Sequence, residues 1–284
     1  MLQRPDRKAG PRAILFCAVL LAASSARAET PLERGDYLMN SIVACGNCHT
    51  QQTPTGPAEG MEQAGGLLID FPEFTVHTPN ITPDTETGIG GWTDQQIIDA
   101  IREGRRPDGR IIGPPMPIEL YRHMSDEDVH ALVAYLRAVK PVRNAVAVSE
   151  YRIPLPQTYG PPVGAVPVVT PDDPVTYGAY LAGPLGHCTE CHTPMGPGGV
   201  RDMVNDLGAG GFEIYGPWGT SVSANITPTG LGDWTDDQIK TVITTGVRPD
   251  GSHLLPPMAV HYYKNMAPRD LDAIVAYLRS LPPK

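Results

Sequence analysis

Two pentapeptides carry the chemistry of this chain. Cys45-Gly46-Asn47-Cys48-His49 and Cys188-Thr189-Glu190-Cys191-His192 share the pattern C-x-x-C-H. Two thiols three positions apart on one helical turn can each add to a vinyl group of one haem. The histidine that follows is carried beneath the ring, where its imidazole takes the iron from the proximal side. The pattern therefore points to covalent c-type haem, held by Cys45, Cys48, His49, Cys188, Cys191 and His192. The chain has five cysteines, and the fifth, Cys17, lies in an N-terminal apolar stretch. No further thiol is left for a disulfide, a zinc site or thiol catalysis. A disulfide exchanger also uses C-x-x-C, and structural zinc uses sets of four ligands. The adjacent His and the lack of a β-α-β pattern favour haem over both.

An iron used for outer-sphere electron transfer needs a sixth ligand, and an internal repeat narrows the choice. The chain repeats itself at an offset of about 143 residues. Gly35-x-Tyr37-Leu38 returns as Gly178-x-Tyr180-Leu181, and Asn80-Ile81-Thr82-Pro83 as Asn225-Ile226-Thr227-Pro228. Trp92-Thr93-Asp94, Arg106-Pro107-Asp108-Gly109, Pro114-Pro115-Met116 and Val133-Ala134-Tyr135-Leu136-Arg137 return at 234, 248, 256 and 275. No histidine outside the motifs is matched: His123 falls opposite Asn265, and His261 opposite Glu119. Two methionine pairs are matched. Met116 and Met258 follow Pro-Pro in a stiff loop and are the candidate axial ligands. Met124 and Met266 open the last helix of each half and read as core. His/Met ligation raises the potential and leaves no open coordination position.

The elements that position these residues read as helix and loop, with no convincing strand run. A first helix, near 32–44, leads into each motif. Thr93-Asp-Gln-Gln96 and Thr235-Asp-Asp-Gln238 are capping boxes that start a second helix, and Gly104 and Gly246 close it. The last helix runs near 125–139 and again near 268–281. The expected fold is all-α: two tandem helical units over 29–140 and 175–284, each around one covalent haem, joined by a Pro-rich linker at 141–174. The linker's Val146, Val148, Tyr151, Ile153 and Leu155 suggest an ordered strap with apolar groups to bury. Each proximal His should donate its second ring N–H to a backbone carbonyl, for which Pro54, Pro57, Pro194 and Pro197 are nearby. Trp92 and Trp234 suit either a haem propionate or the core. Arg106 and Arg248 suit a propionate or an exposed turn. Tyr37 and Tyr180 are placed against the last helix.

The N-terminus has a basic segment (Arg4, Arg7, Lys8, Arg12), an apolar run Ala13–Ala23 and a small-x-small site Ala26-Arg27-Ala28. Residues 1–28 thus read as a cleavable export signal. The apolar run is too short for a membrane span, and none is expected in the mature chain. Loss of 1–28 leaves 17 basic against 30 acidic residues. A surface so acidic does not suit nucleic acid or anionic lipid. It suits a soluble periplasmic protein, free or peripheral to the membrane.

Each half resembles a class I c-type cytochrome. The doubled chain, with Asn-Ile-Thr-Pro, Trp-Thr, Arg-Pro-Asp-Gly and Pro-Pro-Met, is similar to the cytochrome c subunits of periplasmic alcohol, aldehyde and related dehydrogenases. Those of alcohol dehydrogenases typically carry three haem units, against two motifs here. The resemblance implies a dihaem carrier that passes single electrons from a dehydrogenase or other donor to a terminal oxidase or another cytochrome. No side chain is assigned a catalytic role. The alternative is a dihaem redox enzyme, peroxidase-like or sulfur-oxidising. Matched methionines in both halves and the lack of a spare cysteine ligand disfavour it.

Overall fold

The computed structural model describes Met1 and residues 28–53, 56–216 and 218–284. The export signal read over 1–28 lies almost wholly outside the described residues. The first half runs α1 (Pro31–Met39), α2 (Cys45–His49), α3 (Asp94–Arg102), α4 (Ile118–Tyr121) and α5 (Asp126–Ala138). The second runs α6 (Pro174–Tyr180), a π-helical turn Leu181–Leu185, α7 (Cys188–Cys191), α8 (Pro228–Leu231), α9 (Asp236–Thr245), α10 (Val260–Tyr263) and α11 (Pro268–Ser280). Local sequence explains the helix ends. Thr93 and Thr235 accept from the backbone N–H of Gln96 and Gln238, which return the bond as capping boxes. Gly246 closes α9 with φ of 70°, the left-handed cap that glycine adopts freely.

In each half the first helix crosses the last, α1 on α5 and α6 on α11. The crossing requires glycine: a Cβ on Gly35 would run into the Ala131 backbone, and one on Gly178 into the equivalent Ala273 backbone. Leu38, Leu132 and Val129 are fully buried at the first crossing; Leu181, Ile274 and Leu278 close the second. The arginine that ends each Val-Ala-Tyr-Leu-Arg repeat has a positioning job. Arg137 pairs with Asp94 (2.9 Å) and binds the Trp92 carbonyl; Arg279 pairs with Asp236 (3.2 Å) and binds the Trp234 carbonyl. The last helix thereby fixes the start of the second.

The all-α, two-unit expectation is corrected. Among the described residues, seven short strands form three small antiparallel sheets. These are β1 (Gln52–Thr53) with β2 (Gly56–Pro57); β3 (Leu68–Phe71), β4 (Phe74–His77) and β5 (Glu150–Tyr151) in one sheet; and β6 (Glu213–Gly216) with β7 (Gly219–Val222). The hairpin β3–β4 pairs Leu68 with His77 through Phe71 with Phe74. Its residues alternate about a two-residue turn, Pro72-Glu73, a short-strand signature. Four residues per strand with one face exposed gave too little periodicity to stand out. Nor do the halves keep separate cores. The buried apolar residues form one continuous cluster that includes Ile42, Val43 and Leu132 of the first half with Leu185, Tyr263 and Ile274 of the second. The segment α4 of the first half also packs on the Leu181–Leu185 turn of the second.

The Pro-rich segment 141–174 is an ordered strap, with Val146, Tyr151 and Leu155 half-buried as expected and hydrogen bonds adding to their hold. Val148 is 79% exposed and Ile153 is exposed, so neither supplies the burial expected of it. Instead Asn80 Nδ2 donates to Val142 O (2.7 Å), Asn144 Nδ2 to Ala64 O (2.9 Å), Tyr159 Oη to Ile112 O (2.7 Å) and Asp126 N to Val166 O (3.0 Å). Extended proline-rich backbone has unpaired carbonyls to offer; the first half donates to two of them, and the strap's own Asn144 and Tyr159 donate back to first-half carbonyls.

Candidate functional site

Both motifs form a short turn of helix entered from a left-handed residue. Ala44 (φ 49°) precedes Cys45, and His187 (φ 40°) precedes Cys188. Non-glycine residues in this region are uncommon and gather at functional sites. The four thiols are unpaired and half-buried. Burial pushes them up, Cys45 and Cys191 to about 12, Cys48 and Cys188 to about 11. A disulfide exchanger needs a thiol whose acidity is raised by its surroundings; these are neutral thiols. Burial also lowers both motif histidines below their ordinary value, leaving neutral imidazoles, the metal-binding form.

The histidines are aimed by the backbone. His49 Nδ1 lies 2.9 Å from Pro79 O, and His192 Nδ1 lies 2.7 Å from Ala224 O. A carbonyl can only accept, so Nδ1 carries the proton and Nε2 is the nitrogen with a free lone pair. The acceptors are thus not the prolines just after the motifs: Pro57, Pro194 and Pro197 are passed over, and Pro54 lies outside the described residues. They are the residues immediately before the repeated Asn-Ile-Thr-Pro. Asn80 Oδ1 accepts from Thr82 N (2.9 Å) and Thr82 Oγ1 (2.7 Å); Asn225 Oδ1 accepts from Thr227 N (2.8 Å) and Thr227 Oγ1 (2.7 Å). These side-chain turns set the direction of the preceding carbonyl. The repeat was visible in the sequence, but only the fold shows what it is for.

The glycine pairs complete the arrangement. Gly65 N donates to His49 O (2.7 Å) and Gly210 N to His192 O (2.8 Å). Both glycines have φ of 75°, and a Cβ there would stand 2.5 Å from Pro79 C or from Ala224 C. Each glycine therefore fills the space between the motif backbone and the carbonyl that aims the imidazole.

Met116 and Met258 are half-buried at the edge of the core, each at the end of a Pro-Pro-Met loop whose Pro-Pro peptide bond is cis. Met124 and Met266 are 0% and 6% exposed, inside the core, as expected of packing residues. His123 and His261 are exposed. Trp92 and Trp234 are half-buried against the core. Arg106 and Arg248 differ: Arg248 closes its own turn on His253 O (2.8 Å), whereas the Arg106 guanidinium lies 5.3 Å over the Trp92 ring with Nε buried and without a hydrogen-bond partner. Tyr37 and Tyr180 do not serve their own half, as expected, but the other one. Tyr37 Oη donates to Asp270 Oδ2 on α11 (2.6 Å), and Tyr180 Oη to Asp128 Oδ2 on α5 (2.5 Å).

The motifs lie close to the junction of the halves. Asn47 of the first motif donates to Pro257 O of the second half (3.0 Å), and the Glu190 carboxylate of the second motif adds to burial in raising the Cys48 thiol of the first. Burial pushes Glu190 up to about 7. Its carboxylate, His187 and Cys191 gather within 4.8 Å, but the thiol belongs to the motif and the trio makes no separate site.

Comparison with known proteins identifies the family. A family model described as "Cytochrome C oxidase, cbb3-type, subunit III" matches residues 30–136. A "Diheme cytochrome c-type" protein of Cereibacter sphaeroides is 34% identical over 251 residues, covering 84% of this chain and 82% of that one. The "Alcohol dehydrogenase (quinone), cytochrome c subunit" of Gluconobacter oxydans is 34% identical over 295 residues, and the "Gluconate 2-dehydrogenase cytochrome c subunit" of Pantoea cypripedii is 32% identical over 272 residues. The chain spans 59% and 60% of the length of these two subunits. The chain belongs to the c-type cytochromes, the family that carries covalent haem c.

Proposed function

We propose that this chain is an exported dihaem electron carrier that takes single electrons from a dehydrogenase and passes them to a respiratory acceptor. Cys45, Cys48, His49 and Met116 would hold one haem c. Cys188, Cys191, His192 and Met258 would hold the other. Residues 29–140 and 175–284 hold one each, residues 1–28 direct the chain to the periplasm, and 141–174 straps the first half. The observation that carries the reading is the matched aim of the two imidazoles, each Nδ1 held by a backbone carbonyl so that Nε2 is left for iron. Neutral thiols support it, as does the buried Arg106 Nε, which makes no hydrogen bond, stands 3.7 Å from Asp108 and is a donor suited to a propionate. The relatives named as subunits of dehydrogenases support the choice of donor. No described helix is long and apolar enough to cross a membrane, in keeping with a carrier that is free or peripheral.

The haem iron supplies the redox change; the protein holds, orients and insulates. His49 and His192 keep one tautomer because their carbonyl partners cannot donate. Met116 and Met258 complete a saturated ligand set, which favours electron transfer over substrate binding. The experiment is spectroscopic. The purified protein is expected to carry two haems per chain with a low-spin spectrum and a ferric methionine–iron charge-transfer band. Met116→His and Met258→His are each expected to remove about half of that band. A band that survives the double replacement defeats the ligand assignment.

A further inference from the structure

We propose that Asn47, between the two thiols of the first motif, is a positioning residue for Met258 of the second haem site. The inference rests on the ligand reading above. Asn47 Nδ2 donates to Pro257 O at 3.0 Å, the carbonyl immediately before Met258. The same junction carries a second contact: the Tyr262 hydroxyl, from α10 just beyond the methionine loop, occupies the space that a side chain at Gly46 would take. The loop that presents Met258 is therefore seated on the attachment turn of the other half. Thioether bonds at Cys45 and Cys48 would tie that turn to the first haem, and His49 is already aimed by Pro79 O (2.9 Å). Asn47 is thus a short bridge from one haem's anchor to the other's axial ligand.

The bridge is one-sided. The position equivalent to Asn47 in the second motif is Glu190, which has a carboxyl group in place of the amide and faces His187 at 3.7 Å. The Met116 loop thus lacks the amide donor that the Met258 loop receives. Two sites with the same four ligand types are then held differently: the Met258 loop by Asn47 of the other half's motif, the Met116 loop by the strap, whose Tyr159 Oη donates to Ile112 O (2.7 Å) and whose Tyr151 and Leu155 cover Gly113. Restraint of the thioether favours the methionine-ligated iron over any competing ligand, and methionine ligation is what raises the potential. The structure thus assigns Asn47 a share in setting the second haem's potential from the first half of the chain.

The test uses the dihaem protein with Met116→His as the parent, so that the remaining charge-transfer band reports Met258 alone. Asn47→Ala and the shape-preserving Asn47→Asp are compared with that parent at two haems per chain. Loss of one amide–carbonyl hydrogen bond is expected to raise the affinity of the ferric second haem for added imidazole about fivefold. The band is expected to weaken, and the lower of the effects on midpoint potential should fall on the first haem, the larger downward shift on the second. Unchanged imidazole affinity and unchanged band in both variants overturn the role of Asn47 and leave the ligand reading intact. A parent with no band at all overturns the assignment of Met258, and the proposal with it.

Discussion

Gly210→Ala is expected to destabilise the protein by about 2–5 kcal/mol and to disturb the second haem site, with Gly65→Ala doing the same at the first. Part of the effect is backbone strain, since a left-handed residue with a Cβ costs about 1–2 kcal/mol. The rest is overlap, because the new Cβ would stand 2.5 Å from Ala224 C, and overpacking of this kind costs about 1–3 kcal/mol. The overlapped group is not incidental. It bears the carbonyl that accepts from His192 Nδ1, so relief of the clash moves the acceptor away from the imidazole. A looser imidazole is a weaker ligand, and the second haem's potential and spectrum should shift with the stability. The neighbour Gly211 separates the two causes: its φ is 83° but nothing lies within 4 Å of its would-be Cβ. Gly211→Ala should show only the strain of about 1–2 kcal/mol and an unaltered spectrum. Thermal unfolding and redox titration of the four proteins decide the matter. If Gly210→Ala behaves like Gly211→Ala, the wedge between motif and carbonyl has no functional meaning.

What the sequence made legible here was local. Capping boxes at Thr93 and Thr235, closing glycines and the two C-x-x-C-H motifs are each written within five residues, and they appear where the spacing put them. Acceptors for His49 and His192 were not legible, because Pro79 and Ala224 lie about thirty residues beyond the motifs and act through main-chain atoms that any residue has. Only the Asn-Ile-Thr-Pro that follows them is distinctive, and it signals a turn before it signals a haem site. The hairpins β3–β4 and β6–β7 escaped because four-residue strands carry little periodicity. The exchange between the halves escaped for a third reason. A tyrosine on an amphipathic helix looks the same whether its hydroxyl meets its own half or a neighbour, and the repeat itself encouraged treating each half as complete.

That exchange leads to the second large effect. Tyr37→Phe and Tyr180→Phe keep the ring and remove one hydroxyl from opposite sides of the junction. Each hydroxyl does two things: Tyr37 Oη donates to Asp270 and accepts from Ala267 N (3.0 Å), while Tyr180 Oη donates to Asp128 and accepts from Ser125 N (3.0 Å). The tyrosine of each half thereby completes the N-terminus of the other half's last helix, where unsatisfied N–H groups need partners. Burial, reinforced by the aspartate, raises both hydroxyls well above their ordinary value, so they remain donors throughout the neutral range. Asp270 is 0% and Asp128 5% exposed, so loss of a hydrogen bond to either charge should cost about 1.5–3 kcal/mol. The two losses should not be equal. Asp128 keeps Arg34 Nε at 2.8 Å, a half-buried ionic partner, whereas Asp270 keeps Tyr177 Oη at 3.2 Å and the exposed Arg269 at 3.4 Å. Tyr37→Phe is therefore expected to be the more destabilising, by denaturant unfolding of the dihaem protein. The double variant should lose the cooperativity of the junction, with the halves melting in separate calorimetric transitions and the haems exchanging electrons more slowly across a loosened contact. Two single variants within 0.5 kcal/mol, roughly the scatter of a surface substitution, of the parent would mean that water replaces the hydroxyls and that the shared apolar cluster alone sets the spacing of the two sites.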